Sequence, residues 1–323
     1  MSAPPWTIEV EGNGTRIRGG GVSLRTPYSE EFVRRLGAFR PGLELLDELL
    51  RSEHSAYIRD RLAVLLEPFS QRATWRALDF GCGAGASAVV LARLGVGRIV
   101  GVDLVNDYAA LWRRRLVEAG FPDTGTFVQS GQGFSLPFRN GAFDAVFLNG
   151  VLEHLLPEER RSLLLETFRL LPPGGHLFIS ETPNRWFPRN SHTKLWFSEL
   201  LPAAWAAAWA ARSGVRRDFP RTGRTAQFRT GYRGMSVGQA RAILGSRARL
   251  VSTDERITRF EYVLPRNPLE QSERRSRLGA LLYAISRGIA ALTFQPSAHL
   301  APHLNLVFRR NSCAFAAGRA GPA

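Results

Sequence analysis

Alternate glycines after an apolar run form the first pattern in this chain that could do chemistry. The run that ends at Phe80 predicts a buried strand, and Gly81, Gly83 and Gly85 follow it at once. Glycines let the backbone approach a ligand closely, and they lead here into a predicted helix N-terminus, where unpaired N–H groups favour negative charge. The carboxylate of Asp79 instead suits a ligand with an ammonium group or several hydroxyls. The pattern therefore predicts a small-molecule site.

The glycine spacing is shared by two classes of site. Gly81-x-Gly83-x-x-Ala86 also fits the dinucleotide fingerprint, and Asp103 lies near the spacing at which that fingerprint expects a ribose-binding acid. Asp79 argues against that alternative because its charge would repel a pyrophosphate. The loop by itself leaves both classes open.

Four motifs in chain order resemble those of class I S-adenosylmethionine-dependent methyltransferases. The first is Leu78-Asp79-x-Gly81-Cys82-Gly83-x-Gly85, which resembles the family's first motif. The others are Gly101-Val102-Asp103, the segment 131–138 that ends in Leu136-Pro137-Phe138, and Phe143-Asp144-Ala145-Val146 through Val151-Leu152-Glu153-His154. Motifs that recur in the expected strand-turn-helix context are far more specific than a single glycine loop.

The resemblance implies a cofactor, S-adenosylmethionine, and residues that hold it. Asp79 and the three glycines would surround the methionine end, and Asp103 would accept hydrogen bonds from the ribose hydroxyls, serve as a helix N-cap, or do both. Gln132 stands where the family usually has an aspartate that reads the adenine amino group, and an amide can also accept that bond. The cofactor-binding candidates are Asp79, Gly81, Gly83, Gly85, Asp103, Leu104, Gln132, Gly133, Phe134 and Asn149.

Three residues are candidates for the reaction itself. His192 lies after the fifth predicted strand of the core, and the ordinary pKa of histidine suits removal of a proton from an acceptor hydroxyl. Glu153 and His154 follow the fourth strand and could orient a substrate, fix the loop, or help bind a divalent cation as in some quinone-type O-methyltransferases. Because two adjacent ligands make an incomplete site, we predict no metal.

Strand and helix patterns alternate in the doubly wound α/β manner that these motifs require. Strands are expected at about 76–80, 98–103, 125–130, 143–149 and 175–180, with 250–253 and 305–309 as candidates for an antiparallel edge pair. Core helices are expected at 85–94, 106–119 and 157–171. The prediction is a Rossmann-like, mostly parallel seven-stranded sheet with a helical N-terminal extension and two insertions.

The chain divides into five expected parts. Residues 1–70 form the N-terminal extension, loosely ordered over 1–27 and helical over 28–69, and residues 71–181 form the cofactor-binding core. Residues 182–235 form a Trp/Arg-rich insertion, residues 236–310 return to the core with a helical insertion at 255–302, and residues 311–323 form a tail.

The two insertions are the parts of the chain that depart most from the plain pattern of the family it resembles. Four tryptophans of the first, Trp186, Trp196, Trp205 and Trp209, could stack on an acceptor ring or pack on the core, and its arginines could hold a phosphate. In the second, six apolar residues recur at helical spacing between residues 278 and 294. This segment is shorter than the ~20 apolar residues of a membrane span. We expect a core-packing helix, with an interfacial helix as the alternative.

Composition restricts the function further. The 323 residues carry a formal charge of +15, which attracts phosphate, anionic lipid or nucleic acid. Two distant cysteines exclude a disulfide scaffold. The absence of a signal pattern predicts a cytoplasmic protein, with peripheral contact at the inner face of a membrane left open.

We predict O-methylation of a small or lipid-linked acceptor, such as a glycan intermediate, a quinone precursor or a secondary metabolite. The alternatives are an RNA-directed methyltransferase and a non-catalytic cofactor-binding scaffold. The fourth strand lacks the Asn/Asp-Pro-Pro-aromatic turn of exocyclic-amine methylation, which argues against one class of nucleic-acid enzyme. The oligomeric state is left open.

Overall fold

A computed structural model provides the fold. It describes residues 7–19, 22–53, 58–131, 133–214, 219–252, 255–263, 273–294 and 296–312.

The N-terminal extension combines a small sheet with three helices. Strands β1 (Thr7–Glu11), β2 (Gly14–Gly19) and β3 (Val22–Thr26) form an antiparallel meander, followed by α1 (Glu30–Phe39), α2 (Leu43–Glu53) and α3 (Ile58–Leu66). The helices confirm the expectation for residues 28–69. The expectation of loose order over residues 1–27 is wrong for 7–19 and 22–26, because Ile17 and Leu24 are buried in one apolar cluster with α1 and α2.

The core sheet has seven strands in the spatial order β6-β5-β4-β7-β8-β10-β9. Its strands are β4 (Arg76–Phe80), β5 (Arg98–Asp103), β6 (Gly125–Gln129), β7 (Ala145–Asn149), β8 (His176–Pro183), β9 (Ala248–Ser252) and β10 (His303–Arg310). The first five pair in parallel, while β10 runs antiparallel to both β8 and β9. The predicted fold class is confirmed, including the edge pair formed across a long insertion.

Helices cover both faces of this sheet, which explains why its central strands are apolar on both sides. Leu78 and Val146 belong to one buried cluster, whereas Ala77 and Phe147 belong to the cluster on the other face. The remaining helices are α4 (Ala86–Arg93), α5 (Tyr108–Glu118), α6 (Pro157–Leu170), α7 (Ala203–Ser213), α8 (Arg224–Arg229), α9 (Val237–Leu244), α10 (Glu255–Val263) and α11 (Glu273–Thr293).

Helix α11 corrects the expectation of a core-packing helix. Its Leu281, Ile285, Ile289 and Leu292 are exposed, and small residues such as Ala290 face inward instead. Helical periodicity shows that a helix has an apolar stripe, but it does not show that another element covers the stripe. No described helix combines the length and apolar character that crossing a bilayer requires.

Candidate functional site

A cavity of about 710 Å³ opens at the carboxyl ends of β4, β5 and β7. Ligands of doubly wound sheets bind at this edge, where the strand order reverses. Eight of the predicted site residues line the cavity: Gly81, Gly83, Asp103, Leu104, Phe134, Asn149, His154 and His192. Helix α2 contributes Glu48 and Arg51 to the lining, so the N-terminal extension forms part of the cavity wall.

The turn after β4 adopts the conformation that only glycine accepts readily. Gly81 and Gly83 have φ angles of 71° and 48°, in the left-handed region. A Cβ on Gly81 would lie 2.8 Å from Val151 Cγ2, whereas a Cβ on Gly83 would meet no described atom within 4 Å. Gly81 is therefore required for packing, and Gly83 leaves its backbone accessible from the cavity.

Asp79 is buried below this turn with an unpaired oxygen. One carboxylate oxygen, Oδ2, accepts a hydrogen bond from the Ser87 hydroxyl. The other, Oδ1, and the neighbouring Asn149 Nδ2 form no hydrogen bond of good geometry with the described residues, although the Asn149 amide is near enough to Asp79 to lower its pKa. Burial raises the pKa of Asp79 to about 7, against the opposing effect of the Ser87 hydrogen bond. A buried acceptor and a buried donor without partners are costly unless a ligand binds them.

Asp103 holds the glycine turn in place at the end of β5. Its Oδ2 accepts from Gly83 N at 2.9 Å, and its Oδ1 accepts from Val105 N at 3.0 Å. Each carboxylate oxygen can accept a second bond, so both can still receive a ribose hydroxyl. The alternative that Asp103 is a helix N-cap is wrong, because α5 begins at Tyr108 and its N-cap residue is Asp107.

The predicted adenine loop is described in part. Gln132 lies outside the described residues. Gly133 has a φ of 120°, and Phe134 lines the cavity. Glu166 accepts a hydrogen bond from Leu136 N at 2.7 Å, which anchors the far end of the loop on α6.

The three predicted catalytic side chains form one cluster, in which His154 and His192 line the cavity and Glu153 is buried beside them. Glu153 Oε1 lies 3.8 Å from His192 Nε2 and 3.9 Å from His154 Nε2. The two imidazole rings meet edge to face at 5.5 Å between centroids. Glu153 is on a 3₁₀ helix, Leu152–His154, and His192 is on the loop after β8. The structure thus joins two segments that are distant in sequence.

Glu153 is held as an anion inside the protein. Burial alone would raise its pKa, but the close approach of His192 and the positive charges of His154 and His192 lower it to about 2. Thr182 Oγ1 donates a further bond to Glu153 Oε2 at 3.4 Å. His154 donates Nδ1–H to the Arg229 carbonyl at 2.8 Å, and a Cβ on Gly231 would lie 3.0 Å from the His192 ring. Both rings are therefore fixed in orientation.

The same three side chains are also close enough together to be compared with a metal site. Their ligand atoms all lie within 4.8 Å of one another. A tetrahedral zinc ion with ligands at about 2.0–2.1 Å places its ligand atoms about 3.3–3.4 Å apart, closer than the two distances from Glu153. Distances of 3.8 and 3.9 Å are ordinary for ion pairs between a carboxylate and imidazoles, and a zinc ion would have to draw these ligand atoms closer together.

Two supporting groups escaped the sequence analysis. Glu181, at a φ of 61°, binds Arg51 Nη2 at 2.8 Å and Arg61 Nη1 at 3.0 Å, which ties α2 and α3 to the end of β8. Arg160 donates to the carbonyls of Gly234 and Arg233 at 2.8 and 2.7 Å, which ties the first insertion to α6. Burial lowers the pKa of Arg160 to about 10. An acidic residue at a strand end was a visible signal for Glu181, but its partners are more than a hundred residues away.

The four tryptophans of the first insertion are not where an acceptor ring would need them. None of Trp186, Trp196, Trp205 and Trp209 lines the cavity, and all four are exposed. Neither stacking at the site nor packing on the core describes their positions. Arg229 does line the cavity, but both of its terminal nitrogens bind Glu159 at 2.7 Å.

Comparisons with known proteins agree with this geometry. The family model described as a methyltransferase domain matches residues 78–179. Ubiquinone biosynthesis O-methyltransferase of Xanthomonas oryzae pv. oryzae is 32% identical over 159 residues, covering 44% of this chain and 63% of that protein. Demethylmenaquinone methyltransferase of Symbiobacterium thermophilum is 28% identical over 146 residues, covering 44% and 57%.

A solved structure of a S-adenosylmethionine-dependent methyltransferase from Methanosarcina mazei is 26% identical, with a TM-score of 0.34 over 38% of this chain and 58% of that one. The chain spans less than two thirds of the length of these three proteins.

Proposed function

We propose that this chain, whose residues 78–179 match a methyltransferase domain, uses S-adenosylmethionine to methylate a hydroxyl oxygen of a small or lipid-linked acceptor. The observation that carries this proposal is the Glu153–His192 pair at the mouth of a cavity with a cofactor-type glycine turn. When bound, S-adenosylmethionine supplies a methyl group that its positive sulfur has already activated toward an oxygen nucleophile.

The described residues fit this cofactor. The unpaired Asp79 Oδ1 and Asn149 Nδ2 offer an acceptor and a donor, which match an ammonium and a carboxylate. Asp103 retains acceptor capacity for ribose hydroxyls. Leu104 and Phe134, which line the cavity, would enclose the adenine together with the backbone of Gly133.

The proton of the acceptor hydroxyl would leave through His192. With its Nε2 proton directed to Glu153, the ring accepts the hydroxyl proton at Nδ1, and the anionic Glu153 stabilises the imidazolium that results. General-base catalysis of this kind contributes about 10²–10⁴-fold. His154 would contact the acceptor from the neighbouring position, and alignment inside the cavity would supply the rest of the rate enhancement.

Two relatives support a small-molecule acceptor, because their names refer to ubiquinone biosynthesis and demethylmenaquinone, and the first is named an O-methyltransferase. The Glu153–His192 pair supplies the proton acceptor that methylation of a hydroxyl requires. The net charge of +15 keeps RNA as the competing acceptor.

A transfer assay tests the proposal. Purified protein and methyl-labelled S-adenosylmethionine are incubated with cell extract, which is then separated into organic-soluble, nucleic-acid and small aqueous fractions. The control is Asp103→Ala, which lacks the ribose-binding carboxylate. We expect the wild type, but not this variant, to produce label in the organic or small aqueous fraction. Label in RNA would overturn the proposal, and cofactor binding without label in any fraction would favour the scaffold.

A further inference from the structure

Four of the seven tryptophans stand on the surface of the first insertion. Trp186, Trp196, Trp205 and Trp209 are 58%, 47%, 68% and 41% exposed. Trp75 and Trp112, in the core, are 5% and 0% exposed. Tryptophan is among the most apolar side chains by area, and its ring N–H suits a boundary between water and an apolar phase. Such a concentration on one insertion indicates a binding surface.

Helix α11 presents a second exposed apolar stripe. Leu281, Ile285, Ile289 and Leu292 follow one another at helical spacing and are 45–82% exposed. The buried side of the same helix has small residues, Ser286 and Ala290. The helix therefore turns these four large apolar side chains outward, unlike a helix whose apolar stripe is covered by its own core.

The two apolar groups are physically connected. Phe187, next to Trp186, meets the Tyr262 ring at 5.8 Å, and Tyr262 meets Tyr283 of α11 at the same distance. Asn184 donates to the Ala301 carbonyl at 2.9 Å, which joins the start of the first insertion to the end of the second. We call the four tryptophans together with the α11 stripe the aromatic–aliphatic surface.

The segments that carry this surface are basic in sequence. Residues 182–235 contain ten arginines and lysines against two acidic residues, and one of these two, Glu199, is buried. Two of the ten, Arg224 and Arg229, pair with Glu158 and Glu159, while the whole chain has a formal charge of +15. Exposed tryptophans and aliphatic side chains on a positively charged protein match the interface of an anionic membrane, where aromatic rings sit at headgroup level.

We propose that the aromatic–aliphatic surface docks on a bilayer that contains anionic phospholipid, with α11 lying in the interface and not across it. A second copy of this chain would bring together two proteins that each have a formal charge of +15, which opposes self-association. An RNA ligand would leave the aliphatic stripe of α11 uncovered. A bilayer satisfies the charge and the apolar area together.

Docking would also bring the candidate base toward the lipid. Asn190 Oδ1 accepts from the backbone N–H groups of His192 and Thr193, and Arg189 pairs with Trp196 across the same hairpin. One short hairpin thus carries His192 at the cavity and Trp196 at the surface. Delivery of a lipid-linked acceptor to His192 rests on the proposed function, whereas docking does not.

Vesicle co-sedimentation tests the docking. The full chain is mixed with vesicles of phosphatidylglycerol and phosphatidylcholine, and separately with phosphatidylcholine alone. We expect binding to the anionic vesicles that weakens with salt, and a blue shift of tryptophan emission on binding. The variant Trp205→Ser/Leu292→Ser should bind about tenfold more weakly, because each residue would otherwise bury a large apolar side chain.

The matched control is Val10→Ser/Val117→Ser, which removes two exposed apolar side chains outside both insertions and should bind like the wild type. Cofactor affinity and thermal unfolding of both variants check that the fold is retained. Absence of vesicle binding by the wild type would overturn the proposal, as would equal binding by the two variants. A dimer that the first variant loses, without vesicle binding, would assign the surface to a second copy instead.

Discussion

Glu153 Oε1 lies 3.8 Å from His192 Nε2. The two residues follow the neighbouring strands β7 and β8, respectively. The carboxylate is buried, and its interactions with the two imidazoles lower its pKa to about 2, which favours its ionised form. An anion beside an imidazole both orients the ring and stabilises its protonated form. This relationship gives the site a proton acceptor with a fixed position.

Substitution of either partner should lower kcat and leave cofactor affinity unchanged. We expect His192→Ala to reduce kcat by about 10²–10⁴-fold. Glu153→Gln should move the pH dependence of kcat toward lower pH, because the imidazolium loses its stabilising charge. The pH–rate profile of each variant measures this.

Ser191→Ala is the control, since its hydroxyl has no hydrogen-bond partner among the described residues, and it should leave the profile intact. An unchanged kcat in His192→Ala would show that another group, or none, accepts the proton.

The buried charge of Asp79 should reduce stability in the absence of ligand. Its folded-state pKa of about 7 lies above the ordinary 3.8, so the folded protein binds this proton more tightly than the unfolded chain. The associated stability is fully present below pH 3.8 and is lost as the pH rises through about 7. Asp79→Asn should therefore raise the free energy of unfolding at pH 8 by about 1–3 kcal/mol and have a smaller effect at pH 5.

The same variant should lose cofactor affinity, because an ammonium group requires the ionised carboxylate. For the wild type, affinity should fall as the pH drops below about 7, by at most tenfold per pH unit. Calorimetric titration and thermal unfolding measure the two effects, with the exposed Asp123→Asn as the control. A destabilised Asp79→Asn that still binds the cofactor would contradict the assignment.

Chelation should leave methyl transfer unchanged. Glu153 is at ion-pair distance from both imidazoles, and these distances exceed the spacing of ligands around a bound zinc ion. Activity is compared before and after treatment with EDTA, followed by addition of Zn²⁺, Mn²⁺ or Mg²⁺. Activity that disappears with the chelator and returns with one of these ions would make the cluster a metal centre.

The pair between Arg61 and Glu181 should be important for stability. Both side chains are 5% exposed, and Arg61 Nη1 lies 3.0 Å from Glu181 Oε1. Arg61→Met leaves a buried carboxylate with one partner fewer and should lower the free energy of unfolding by about 3 kcal/mol. Arg59→Met removes an exposed pair with Asp60 and should change it by less than about 1 kcal/mol. Urea unfolding of both variants would reveal equal losses if burial of the pair were unimportant.

Local pattern was sufficient for the core of the fold. The apolar runs before Phe80 and Asn149 predicted strands that the structure confirms, because a strand buried on both faces must be apolar throughout. The glycine turn and Asp103 were also predictable, since a positive φ and a strand-end acid leave a signature within a few residues. The small N-terminal sheet was missed, because its strands are only five or six residues long and β2 begins and ends with glycine.

What the sequence determined alone was the doubly wound sheet, the glycine turn and three chemically competent side chains. The tertiary structure decided that Glu153 and His192 meet, that Arg61 reaches Glu181, and that the tryptophans and the α11 stripe face outward. Periodicity and residue type are local properties, whereas the neighbour of a side chain depends on how distant elements pack. For this chain, the residue types indicated the chemistry, and the packing of distant elements decided which side chains meet.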